Sequence, residues 1–117
     1  MNKVIVAGSR SIQSKSTVYE GIRVAMQAGV VFGEVVTGGA RGPDTIAHQA
    51  AEKKRVPTKV FEADWEQYGK KAGPIRNTSM AEYADELVAI WDGESRGTLD
   101  MIRKARKNGL DVFVYTV

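Results

Sequence analysis

Five short apolar runs, each closed by a polar or glycine-bearing turn and separated by stretches of helical periodicity, constrain this chain more than any other feature. Val4-Ile5-Val6-Ala7 ends at Gly8-Ser9-Arg10, and Glu34-Val35-Val36-Thr37 ends at Gly38-Gly39. A third run begins at Pro57 and passes through Val60 and Phe61; Glu86 to Trp91 is the fourth and Leu110 to Val117 the fifth. Short continuous apolar runs read as strands covered on both faces, the signature of a parallel sheet. Alternation of strand and helix therefore predicts an α/β fold: a Rossmann-like, doubly wound parallel five-stranded sheet with helices on both faces.

Between the strands, local signals place the helices. Thr17 with Glu20 forms a capping-box pattern ahead of Val18, Ile22, Ala25 and Met26, and Gly29 supplies the stop. Pro43 and Asp44 suit a first helical turn, with Ile46, Ala47, Ala50 and Ala51 as the inward stripe. The stretch 63–74 holds two glycines and a proline and reads as a loop, followed by a helix from about Ile75 to Ala84. Gly97-Thr98 opens a last helix that runs to Asn108 and stops at Gly109.

Length and composition close off several classes. The 117 residues fit one domain spanning the chain, with 43% hydrophobic and 26% charged residues, both globular values. Without cysteine, and with His48 as the lone histidine, no disulfide, thiolate site or multi-histidine metal centre is expected. The apolar run after Met1 is too short for an export signal or a membrane span, so a cytoplasmic location without membrane contact is expected. A net charge of +3 is compatible with an anionic ligand and carries little weight alone.

All strands of a parallel sheet end on one edge, where ligands bind in the crevice outside the carboxyl ends. The turns on that edge carry Gly8-Ser9-Arg10, the segment Gly38 to Asp44, Asp64-Trp65, and Asp92 to Thr98; those on the opposite edge are plain. Glycine lets a phosphate approach main-chain N–H groups, and a helix N-terminus behind it adds partial positive charge. On this reading Gly38, Gly39, Arg41 and Gly42 hold one phosphate, while Gly97 and Thr98 cradle a second anionic or hydroxyl group. Gly8, Ser9 and Arg10 reach the ligand from the first strand end, and Asp44 and Asp92 accept ribose hydroxyls. The plainer alternative is that these glycines only make tight strand-to-helix turns. Trp91 reads as rim packing, and Trp65 suits either packing or base stacking. His48 lies off the inward stripe and suits a helix-flank hydrogen bond, and Arg103 to Lys107 read as a solvated helix end.

Val6 to Arg10, Thr37 to Asp44, Ala63-Asp64-Trp65 with Gly73-Pro74-Ile75-Arg76-Asn77 and Met80, and Trp91-Asp92-Gly93 with Gly97-Thr98 resemble the SLOG superfamily, in its YspA (YpsA-related) branch of small stand-alone proteins. The resemblance spans nearly the whole chain. It implies a nucleotide or an ADP-ribose- or NAD-derived ligand, signalling in phage–host immunity, a homodimer and no cofactor, and it adds Arg76 and Asn77 to the ligand-facing set. Two related groups imply alternatives. Lonely-guy phosphoribohydrolases share the Gly97-Thr98 pair and an arginine resembling Arg76, but their glutamate falls on Met101 here, with Asp100 one residue early. An enzyme here, a nucleotide N-glycosidase or a phosphohydrolase, would take its carboxylate from Asp44, Asp92 or Asp100. The single-stranded-DNA-binding protein DprA is similar at Gly8-Ser9-Arg10 and from Gly39 to His48.

Overall fold

A computed structural model describes residues 2–117. The chain runs β1 (Lys3–Gly8), α1 (Lys15–Gln27), β2 (Glu34–Thr37), α2 (Pro43–Lys53), β3 (Thr58–Val60) and α3 (Trp65–Tyr68). A 3-10 turn (Gly69–Lys71) leads into α4 (Ala72–Tyr83), β4 (Glu86–Trp91), α5 (Arg96–Lys107) and β5 (Asp111–Thr116). The five strands pair in the order β3-β2-β1-β4-β5, every pair parallel. The fold is α/β and Rossmann-like, as the strand–helix alternation requires.

Side chains alternate across each strand, which explains the unbroken apolar runs. Val6 and Val35 meet Ala47 and Ala51 of α2, and Val4 and Val88 meet Ala25 of α1. On the other face Ile5, Val36, Leu87 and Ala89 pack under Met80, Ala81, Met101, Ile102 and Ala105 of α4 and α5. One helix pair thus covers each face, with Val4 in register with Val35 on one side and with Glu86 on the other.

Three local expectations change. Ser14, in extended backbone, caps α1 by accepting the Thr17 N–H at 3.3 Å, so Thr17 lies one turn inside the helix and Glu20 pairs with Arg23. Met26 is exposed, and the inward stripe is Val18, Gly21, Ile22 and Ala25. The stretch 63–74 is not an open loop: it holds α3, the 3-10 turn and the start of α4. Gly73 and Pro74 occupy the first turn of α4, where a missing N–H leaves no helical bond unmade.

Candidate functional site

β1 hands the chain toward β2, while β4 hands it toward β5 on the other side, so their carboxyl ends part and leave a crevice at the switch point. A cavity of about 450 Å³ opens there, a volume in the range of small-molecule sites. Gly8, Ser9, Arg10 and Ser11 line it from the end of β1; Asp92, Ser95, Gly97, Thr98 and Asp100 line it from the end of β4 and the start of α5. Gly73, Pro74, Arg76 and Asn77 of α4 form the facing wall, with Met80 and Met101 as apolar floor. Ala40 and Asp44 approach from the β2–α2 turn, and Trp65 from α3.

The β4 end is held by Asp92. One carboxylate oxygen accepts the N–H groups of Glu94 and Ser95 at 2.9 and 2.8 Å, and the other accepts the Ser11 hydroxyl at 3.2 Å. These donors hold the Asp92 carboxyl below the usual range, at about 2. Buried Ser9 ties the two strand ends together: its N–H donates to the Ile90 carbonyl and its Oγ accepts the Asp92 N–H, both at 3.1 Å. Ser95 caps α5 by accepting the Thr98 N–H at 3.4 Å, and the Thr98 hydroxyl donates to the same oxygen at 3.2 Å. Gly97 stays open: a Cβ built on it meets nothing within 4 Å. Its N–H belongs to the first helical turn, which has no intrahelical acceptor, so α5 offers the cavity a positive N-terminus.

The glycine-rich turn before α2 is built differently. Asp44, only 4% exposed, folds back so that its carboxylate accepts the Gly38 N–H at 2.8 Å. The chain's own carboxylate thus fills the place an anion would take at this turn. The Gly38 carbonyl is also occupied, by Nη1 of Arg76 at 2.6 Å. Gly42, at φ 83°, packs so tightly that a Cβ would lie 2.8 Å from the Ile12 carbonyl oxygen. Gly39 faces Val60, and Arg41 is exposed. Gly38, Gly39, Arg41 and Gly42, expected from the sequence to hold a phosphate, therefore lie outside the cavity lining.

Burial pushes the Asp44 carboxyl up to about 6, against the opposing pull of the Gly38 N–H and the Arg76 charge. Since the folded state then holds the proton more tightly than the unfolded chain, this group's stabilisation is complete below about pH 4 and is lost as pH rises through about 6. Asp44→Asn, which keeps an oxygen acceptor for Gly38, is expected to lack that decline. Urea denaturation of both proteins across this window checks it; parallel pH profiles would contradict it.

Arg76 is half-buried, and its Nε donates to the Asn77 side-chain oxygen at 3.0 Å. Burial lowers its pKa first; the Asp44 charge opposes this, and the positive charge of exposed Arg10 adds to it. Two guanidinium groups that feel one another thus line one cavity. Asn77 in turn donates to the Asp100 carboxylate at 3.0 Å, and Lys104 pairs with the same oxygen at 3.0 Å, which ties α4 to α5.

From the expected set, the cavity collects Gly8, Ser9, Arg10, Asp44, Arg76, Asn77, Asp92, Gly97, Thr98 and Asp100. Ser95, whose hydroxyl the sequence places beside Thr98 at this helix start, lines it too, and Ser11 joins it without having been expected to face a ligand; its place just beyond β1 is the signal available. Trp91 packs against the core and donates its indole N–H to the Ser95 carbonyl at 3.1 Å. His48 pairs with Glu52 along α2 at 3.2 Å. Among the described residues no cluster of three potential metal ligands occurs, and no helix is long and apolar enough to cross a membrane.

A family model described as the YspA, cpYpsA-related SLOG family matches residues 2–68. The chain is also similar to the Gene 61 protein of Mycobacterium phage D29, at 37% identity over 118 residues, covering 96% of this chain and 94% of that protein.

Proposed function

Because the chain belongs to the YspA, cpYpsA-related SLOG family, we propose that its switch-point cavity binds a phosphate-bearing nucleotide-type small molecule, of the ADP-ribose or NAD-derived kind. The observation that carries this reading is the pair of guanidinium groups, Arg10 and Arg76, on a cavity that also receives the N-terminus of α5. The ligand's phosphate lies between the arginines and Gly97, and the ionised Asp92 carboxylate is the acceptor for a sugar hydroxyl.

Arg10 is exposed and takes no part in the core, so Arg10→Ala is expected to leave the melting temperature unchanged. Its affinity for ADP-ribose should fall about tenfold, the scale of one charge-assisted contact. Calorimetric titration of both proteins measures this, and equal affinities would refute the site. Free base released from AMP during the titration would replace the binding reading with a phosphoribohydrolase one. Steeply salt-dependent binding to an oligonucleotide, with none to mononucleotides, would replace it with DNA binding.

A further inference from the structure

We propose that Trp65 is the base-recognising residue of this cavity: a planar base stacks on its indole while the phosphate lies against Arg10 and Arg76. This deepens the nucleotide reading above and rests on it.

The two tryptophans of the chain have opposite surroundings. Trp91 is packed and its indole N–H has a partner, so it serves the fold. Trp65 lines the cavity and yet is 52% exposed. Its place in the backbone is set by the helix it opens. The Asp64 carboxylate caps α3 by accepting the Gln67 N–H at 3.1 Å, which sets Trp65 as the first residue of that helix. The far edge of the ring rests over Gly73 in the first turn of α4, where a Cβ would lie 3.5 Å from Trp65 Cη2. A large apolar surface thus lines the cavity beside the first turn of α4 and is uncovered over much of its area. A flat ring is the shape that covers it best, and stacking accepts any base because every base has a π-face. The recognised class is therefore an aryl-bearing phosphate with weak preference among bases.

The test compares AMP with ribose 5-phosphate, which keeps the sugar and phosphate and lacks the base. The intact protein is expected to bind AMP about tenfold more tightly. Trp65→Ala should bring the two affinities together by weakening AMP alone, and Trp65→Phe should keep most of the difference. Equal binding of the two ligands by the intact protein, or a difference that survives in Trp65→Ala, would overturn the stacking role while leaving the phosphate site standing. Failure of the intact protein to bind AMP, ribose 5-phosphate and ADP-ribose alike would overturn both readings.

Discussion

Gly8→Ala is expected to cost the chain about 3 kcal/mol of stability, lowering the melting temperature by about 12 °C. A methyl group at this position would overlap the Ile90 carbonyl oxygen and come within 2.5 and 2.9 Å of Cγ and Cβ of Pro43. Neither obstacle is a flexible side-chain end. The Ile90 carbonyl accepts the Ser9 N–H where β1 leaves β4, and the Pro43 ring is the first residue of α2. Relief would have to come from parting the two strands or lifting the helix. A thermal melt checks this, and a midpoint within about 2 °C of the unmodified protein would show that the sheet end yields more easily than its packing implies.

Arg76→Ala is expected to lose about 2–3 kcal/mol of stability and roughly a hundredfold in affinity for ADP-ribose. The stability loss arises because the arginine answers two groups at once. Its removal leaves the Gly38 carbonyl without its donor and the buried Asp44 carboxylate without its nearest positive neighbour. The cost should therefore be larger at about pH 8, where Asp44 is ionised, than at about pH 5, below its value of about 6. The affinity loss exceeds that of Arg10→Ala because Arg76 is half-buried and held from two sides. Gly38→Ala offers an independent check, since its Cβ would overlap Nη1 and lie 2.7 Å from Cζ, pushing the guanidinium out of place. Denaturation at the two pH values, with calorimetry at one, measures both effects; a pH-independent loss would break the proposed link between Arg76 and Asp44.

The central strands β1, β2 and β4 are readable in the sequence because burial on both faces leaves a chain no choice but continuous apolar residues, as at Val4 to Ala7. The helix between residues 72 and 83 was harder to place at its start. Gly73 and Pro74 are the same signal in a loop and in a first helical turn, and only packing against the neighbouring elements separates the two. Ser14 is hard to recognise as a cap because Thr17 and Glu20 offer a competing pattern one turn later.

The candidate site divides along similar lines. That the turns after β1 and β4 share an edge follows from parallel topology, so the sequence alone brings Gly8 to Arg10 and Asp92 to Thr98 together. What no pattern reveals is a side chain turning back on its own loop. Asp44 does so: its carboxylate takes the Gly38 N–H, while a Cβ on Gly97 at the start of α5 would meet nothing within 4 Å. Arg76 is legible only through resemblance, because half-burial on a helix of weak amphipathic pattern gives it no distinctive spacing.

The most direct measurement is the change in backbone amide shifts of the nitrogen-labelled protein as ADP-ribose is added. Saturable shifts should concentrate at Ser9 to Ser11, Ile75 to Asn77 and Arg96 to Thr98, with Gly39 to Arg41 little affected. Shifts centred on Gly39 to Arg41, or spread without focus over the surface, would contradict an anion site at the parting of β1 and β4.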